Sequence, residues 1–258
     1  MENDGLTPGG SIELEHVGQG TQSYVFGTDR WVVTVRKMSL LGSLARLVTR
    51  KQWLGEVRDH LGGLAAPFLL LDDVEFRAPK MTGRYKIIDY RKKMAVARER
   101  YETDDFLDHR LSLSDPERAL ELVEEMVELV ERVRARGFYM HDFIMRNFAL
   151  VDGKLMIVDP GFIAPMAAFR DPAVRCCAYG FTRGLSKDYQ RLLGELMDEL
   201  EEGSELRDRI GTFREALPDR LARLRQRDVP DLESEPGVPI EFEPELEKEI
   251  RAAIGSVR

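Results

Sequence analysis

Residues 1–90 contain stretches in which apolar and polar positions alternate, a pattern typical of half-buried β-strands. SIELEHVGQG alternates up to a pair of glycines, and SYVFGTDRWVVTVRK predicts two strands joined at Gly27-Thr28-Asp29. PFLLLDDVEF and RYKIIDY predict two further strands. The alternation therefore predicts antiparallel strands joined by short turns.

A helix separates these two groups of strands. Its apolar positions recur close to a period of about 3.6 residues until Gly62 and Gly63 end the pattern. These apolar positions are Leu44, Leu47, Val48, Leu54, Val57 and Leu61. The order ββ-α-ββ, with room for one further strand at its start, predicts a β-rich N-terminal lobe over residues 1–90.

The longest helix is predicted in the segment SDPERALELVEEMVELVERVRARG. Ser114 and Glu117 form a predicted capping box, Pro116 lies in the first turn, and Gly137 ends the helix. Its predicted buried stripe consists of Leu120, Val123, Met126, Val127, Val130 and Val133. This amphipathic pattern predicts a helix that packs against a core.

The rest of the chain is predicted to be mainly helical. The short strands FAL and KLMIVD, joined by the turn VDGK, predict a hairpin directly after the long helix, and helices are predicted at 186–202 and 204–227. Residues 91–228 thus form a helical C-terminal lobe, and residues 229–258 an acidic tail, rich in proline and glutamate, with one terminal helix. The predicted fold class is α+β.

Three polar side chains accompany the predicted hairpin. Asp142 and Asn147 lie in the loop before it, and Asp159 follows its second strand. Two carboxylates and an amide oxygen are hard ligands that suit Mg²⁺ with bound phosphates. The pattern predicts Asn147 and Asp159 as metal ligands and Asp142 as a base for phosphoryl transfer. The plain structural alternative is a hairpin whose aspartates only cap turns.

The stretch HDFIMRN followed by IVDPG resembles the D-x-x-x-x-N and D-x-G elements of the protein-kinase-like superfamily. The resemblance implies a two-lobed kinase-like fold and a site that uses ATP and Mg²⁺. Two positions depart from the family pattern. His141 directly precedes the aspartate, and Pro160 replaces the phenylalanine of the D-F-G element.

The segment VGQGTQSYVF is similar to the glycine-rich loop of the same superfamily. Gly18, Gly20 and Val25 match the G-x-G-x-x-G-x-V pattern, and Ser23 replaces the third glycine. The resemblance implies that this loop brings backbone N–H groups close to the nucleotide phosphates. A plain β-turn is the alternative interpretation.

The resemblance also implies a basic residue on the third strand that holds the phosphates and pairs with a glutamate on the following helix. Arg36 and Lys37 are adjacent candidates: strand parity favours Arg36, and the lysine usual in the family favours Lys37. Both remain open. Glu56 is the predicted partner, with a solvated helix face as the alternative.

The part of the chain after Asp159 is short for a regulated protein kinase. It has no convincing A-P-E element, because APM at 164–166 follows the aspartate too closely. The resemblance is therefore to compact bacterial kinases of the lipopolysaccharide-core or small-molecule type. The acceptor stays open among protein, sugar and lipid-linked sugar.

Composition narrows the setting in which the protein works. A net charge of −8 argues against nucleic acid as a partner, because such binding normally needs a basic patch. The two cysteines, Cys176 and Cys177, are neighbours, which favours a reducing compartment. MENDGLTPGG lacks a signal-peptide pattern, and LGGLAAPFLLL is too short to span a bilayer. A cytoplasmic protein without a transmembrane segment is expected.

The motifs together predict an ATP- and Mg²⁺-dependent phosphotransferase with an alcohol group as acceptor. The alternative is a pseudokinase that acts as a nucleotide-binding or regulatory module. Ser23 and the unassigned lysine favour this alternative, whereas the retention of all three metal-site residues opposes it. A helical interaction protein with an incidental hairpin would leave the ordered set of motifs unexplained.

Overall fold

The protein is an α+β protein with an antiparallel sheet and helices. The computed structural model describes residues 15–19, 23–36, 44–76, 90–140, 143–170, 185–226 and 236–255. The chain forms two compact units. The first unit comprises Met1–Lys51, Pro67–Arg100 and Glu241–Arg258, and the second comprises Gln52–Ala66 and Tyr101–Ile240.

The first unit contains a five-stranded antiparallel sheet in the order β1-β2-β3-β5-β4. The strands are β1 Glu15–Gln19, β2 Ser23–Gly27, β3 Trp31–Arg36, β4 Leu69–Phe76 and β5 Tyr90–Glu99. The predicted turn between β2 and β3 is confirmed: Thr28 N donates to Trp31 O at 2.9 Å. The hydroxyl of Thr28 accepts from the backbone N–H groups of Arg30 and Trp31 and closes the turn.

The strand β5 extends further along the chain than the alternation predicts. Most of the predicted strand RYKIIDY lies outside the described residues, and β5 runs on to Glu99. Its inward positions are the small residues Ala95 and Ala97, both buried, so the strand carries a weak hydrophobic signal. Since β5 lies between β3 and β4, residues 91–100 belong to the first unit rather than to the predicted C-terminal lobe.

The last described helix, α6 (Pro244–Gly255), covers one face of this sheet. Leu246, Ile250 and Ala253 recur at helical spacing and pack against sheet residues that include Phe26 and Val33. The terminal helix predicted within 229–258 is therefore present. It belongs to the core of the first unit rather than to a separate tail.

A polar contact fixes α6 at the first residue of the central strand β3. Trp31 is 1% exposed, and its Nε1 donates to Glu249 Oε1 at 2.8 Å. The other carboxylate oxygen of Glu249 accepts from Arg30 Nη1 at 2.6 Å. Because a buried indole N–H needs an acceptor, Glu249 sets the register of the helix on the sheet.

The second unit is mainly helical, and the division between the units falls within α1. The described helices before α6 are α1 Leu44–His60, α2 Leu107–Arg110, α3 Pro116–Ala135, α4 Leu185–Asp198 and α5 Glu205–Arg225. The predicted helices at 186–202 and 204–227 correspond to α4 and α5. No helix in the described ranges combines the length and apolar character that a membrane crossing requires.

Helix α3 begins one residue later than the predicted cap. Asp115, not Ser114, is the N-cap, and its side chain accepts from Arg118 N at 3.1 Å. The hydroxyl of Ser114 instead contacts that of Ser112 at 2.8 Å. The capping box of Ser114 and Glu117 is thus wrong, because two adjacent residues can both cap and the carboxylate takes the position.

The remaining features of α3 are confirmed. Pro116 is in the first turn, and Gly137, with φ of 83°, follows the helix end. All six residues of the predicted stripe are buried. The helix α3 therefore supplies a large part of the apolar core of the second unit.

The packing of α6 predicts that Ile250→Ala destabilises the protein by about 2–5 kcal/mol, because Ile250 is fully buried. Urea unfolding followed by circular dichroism measures the change. Lys248→Ala, whose side chain is 80% exposed on the same helix, is the matched control and should change little. Equal effects of the two substitutions would contradict the role of α6 in the core.

Candidate functional site

The predicted hairpin of the second unit is confirmed. The strands β7 Phe148–Val151 and β8 Lys154–Ile157 pair antiparallel, with Phe148 opposite Ile157. Asp152 and Gly153 form the turn with φ of 51° and 77°. Two successive positive φ values are those of a type I′ turn, which suits two-residue hairpins. This turn fixes the register, and the register places Asn147 and Asp159 beside the open end of the hairpin.

A second strand pair encloses the same region. The strands β6 Phe138–Met140 and β9 Ile163–Pro165 pair antiparallel, with Met140 opposite Ile163. The segments 141–147 and 158–162 each run from one strand pair to the other. The ends of both segments are therefore held side by side.

The three predicted site residues lie in these two segments. Asn147 is the last residue of the first segment, and Asp159 is the second residue of the second segment, directly after Val158. Val158 N donates to Asn147 O at 2.9 Å, which joins the two segments directly. His141 and Asp142 lie outside the described residues, so the structure brings together two of the three predicted residues.

Asn147 is buried, with 5% of its surface exposed. It ends a 3₁₀ turn over Met145–Asn147, in which its N–H donates to Ile144 O at 3.0 Å. Burial of a side-chain amide costs free energy unless the amide has polar partners. The buried amide of Asn147 therefore needs polar interactions, which an apolar residue at this position could not make.

Asp159 is half-buried and caps the turn that follows the hairpin. Its Oδ1 accepts from Gly161 N at 2.9 Å. This bond agrees with the plain structural alternative, in which the aspartate caps a turn. A carboxylate has about four lone-pair sites, so this capping bond does not by itself exclude metal coordination.

The predicted glycine-rich segment forms the hairpin of β1 and β2. Gly18 in β1 lies opposite Val25 in β2, Ser23 begins β2, and Gly20 lies outside the described residues. Val25 in turn lies opposite Thr34 in β3. Paired residues share a face of a sheet, so this row lies on the face opposite to Phe26 and Val33, which α6 covers.

Of the two candidate cations, the described part of the chain includes Arg36. Arg36 is the last residue of β3 and lies opposite Ser23, two positions from Thr34 and hence on the same face. Lys37 lies outside the described residues. Glu56 is half-buried on α1, in the second unit, and its Oε1 accepts from Gln52 Nε2 at 3.3 Å.

An aromatic cluster that the sequence patterns do not predict surrounds the start of the loop. Phe143, Phe148 and Tyr189 are all fully buried. The ring of Phe143 lies 5.7 Å from that of Phe148 at 83° and 5.5 Å from that of Tyr189 at 37°. Such pairs contribute about 0.5–1.5 kcal/mol beyond area burial. The residue after Asp142 is thus anchored from two directions.

An open groove of about 450 Å³ lies beside the same loop within the second unit. It is lined by Asp108, Leu111, Ile144, Met145, Arg146, Asp188, Tyr189, Arg191, Leu192 and Glu195. Three consecutive lining residues, 144–146, directly precede Asn147. Arg191 lies near Asp188 and Glu195 of its own helix, at 3.9 and 3.7 Å. The groove is therefore lined by both charged and apolar residues and lies next to the predicted metal ligand Asn147.

The predicted metal set differs from a cluster of acidic and thiol or imidazole ligands. Within the ranges described above, there is no group of three or more histidine, cysteine, aspartate and glutamate side chains arranged for a metal ion. The predicted set is of another kind, because it contains an asparagine, and its Asp142 lies outside the described residues. No protein-family model matches the chain, and no curated protein matches it significantly.

The turn geometry predicts opposite effects of one substitution at two glycines. Gly153→Ala should destabilise the protein by about 1 kcal/mol or more, because its φ of 77° strains any residue with a Cβ. Gly55→Ala, inside α1, should stabilise it by about 0.5–1 kcal/mol. A Cβ meets no atom within 4 Å at either position, so sterics do not separate the two. Chemical denaturation measures both, and a stabilising Gly153→Ala would rule out the I′ turn.

Proposed function

We propose that the protein is an ATP- and Mg²⁺-dependent phosphotransferase with a two-lobed, protein-kinase-like fold. The observation that carries the proposal is the pair of segments, 141–147 and 158–162, held side by side by β6/β9 and β7/β8. One backbone hydrogen bond joins Asn147 to Val158, the residue directly before Asp159. The elements that precede these two segments, β1-β2-β3-α1-β4-β5 along the chain, also follow the order that the kinase resemblance implies.

In the proposed reaction, the side-chain oxygens of Asn147 and Asp159 would hold the metal. Amide and carboxylate oxygens are hard donors, which fits Mg²⁺ and not a soft metal. When bound, Mg²⁺ neutralises charge on the nucleotide phosphates. Asp142 orients the acceptor hydroxyl and takes its proton as the acceptor oxygen bonds to the γ-phosphorus of ATP, while the bond from that phosphorus to the β–γ bridging oxygen breaks and ADP leaves. The rigid strand pairs keep these groups in place during the reaction.

The sheet of the first unit is the proposed nucleotide-binding surface. The backbone of Gly18, Gly20 and Ser23 lies close to the phosphates in this proposal, with Val25 in the same row. Arg36, which lies opposite Ser23 in the register, is the proposed phosphate-holding cation, with Lys37 as the alternative. Glu56 is the proposed partner of that cation.

The groove beside residues 144–146 is the proposed position of the acceptor. Its lining residues lead directly to Asn147, so a molecule in it lies next to the proposed metal site. Two exposed residues of opposite charge, Arg146 and Asp108, line this groove. This mixture of charges fits a hydroxyl-bearing polar molecule and leaves protein, sugar and lipid-linked sugar as acceptor classes.

The metal role of Asp159 predicts that Asp159→Asn weakens Mg²⁺-ATP binding by at least about tenfold. Wild-type protein should show a rise in melting temperature with Mg²⁺-ATP, because ligand bound to the folded state stabilises it by about 2.7 kcal/mol at 100 times Kd. The variant keeps an oxygen that can cap Gly161, so its fold should persist. Thermal shift and titration calorimetry measure both effects.

Asp152→Asn is the matched control for this experiment. It removes a carboxylate of the same hairpin, at the exposed turn, and asparagine tolerates the φ of 51°. It should bind Mg²⁺-ATP like the wild type. Absence of stabilisation in the wild type would overturn the proposal, whereas binding without hydrolysis or transfer would favour the pseudokinase alternative.

The choice between the two cations has its own test. Arg36→Ala should weaken Mg²⁺-ATP binding by roughly ten- to a hundredfold, the effect of losing charge-assisted hydrogen bonds to phosphate. Lys37→Ala is the neighbouring control and should bind as the wild type does. A larger loss for Lys37→Ala would assign the phosphates to the lysine and show that the strand alternation breaks at its end.

A further inference from the structure

Tyr189 is a buried tyrosine whose hydroxyl reaches two other elements of the second unit. It lies on α4 and is fully buried. Its hydroxyl donates to Met126 Sδ on α3 at 3.1 Å and reaches the backbone oxygen of Phe143 at 3.5 Å. A buried hydroxyl needs such polar partners, so tyrosine rather than phenylalanine is explained by these two contacts.

Phe143 is the residue through which this contact reaches the proposed site. It follows Asp142 in the chain, and its ring packs between those of Tyr189 and Phe148. Phe148 directly follows Asn147. The aromatic cluster therefore holds both ends of the segment 143–148, and Asn147 belongs to this segment.

We propose that Tyr189 is a positioning residue that sets the conformation of the loop 143–147. Its ring supports the side chain of Phe143, and its hydroxyl supports the backbone oxygen of the same residue. A loop fixed in this way keeps Asn147 in place. The role of this position in catalysis rests on the proposed function, whereas the restraint on the loop does not.

The test uses hydrogen exchange of the full-length protein with Tyr189→Phe, which keeps the ring and removes the hydroxyl. The reporter amides are Asn147 N, which donates to Ile144 O, and Phe148 N, which donates to Met145 O. They should exchange about two- to tenfold faster than in the wild type, as expected from the loss of one hydrogen bond. Exchange in α3 and at the other amides of the β7–β8 ladder should not change.

Tyr139→Phe is the matched control. Tyr139 is buried in the same unit, but it packs edge-on against Phe169 in a cluster without residues of the 143–147 loop. Its substitution should leave exchange of the reporter amides unchanged. Equal exchange in Tyr189→Phe and wild type would overturn the proposal. So would acceleration that is uniform over α3 and the loop, since it would indicate global destabilisation.

A second readout separates this proposal from the proposed function. With Mg²⁺-ATP, Tyr189→Phe should lower the rate of phosphate release while KM for ATP stays unchanged, because the loop and not the nucleotide surface is affected. If the wild type neither binds nor hydrolyses ATP, the phosphotransferase proposal fails, and the exchange result still decides whether Tyr189 restrains the loop. If the wild type is active and Tyr189→Phe raises KM alone, Tyr189 does not position the catalytic loop.

Discussion

The geometry of the candidate site depends on one constraint: two loops that share both of their ends. Met140 pairs with Ile163 on one side, and Phe148 pairs with Ile157 on the other. Neither loop can move its ends without breaking a ladder. The hydrogen bond from Val158 N to Asn147 O then joins them near one end. Each strand pair is short, but the two pairs together hold both ends of both loops.

Features encoded by neighbouring residues were predictable from the sequence. The turn of β7 and β8 requires two residues with positive φ, and Asp152-Gly153 is a pair that adopts them readily. The stripe of α3 follows from periodicity alone, and the positions of Asn147 and Asp159 around the hairpin follow from chain order. The cap of α3 shows the limit of local reasoning, since Ser114 and Asp115 both suit it and only the packed helix decides between them.

Features encoded by distant residues were not predictable. The strand β5 becomes a strand because β3 and β4 flank it, although its inward residues are alanines with little hydrophobic signal of their own. Tyr189 is far from Phe143 in the chain, and no motif connects them. From the sequence alone, Tyr189 is therefore only one of the apolar positions of a predicted helix. Its contacts with Met126 and Phe143 appear only when three elements pack together.

The proposed nucleotide-binding sheet is completed by the other end of the chain. Alternation gives every strand two faces, and the face of Phe26 and Val33 is apolar enough to require a cover. The helix α6 supplies that cover, and Glu249 satisfies the buried indole of Trp31. The row of Gly18, Val25 and Thr34 lies on the opposite face, which α6 leaves uncovered. A segment that looks like an acidic tail thus supplies the helix that covers one face of the sheet.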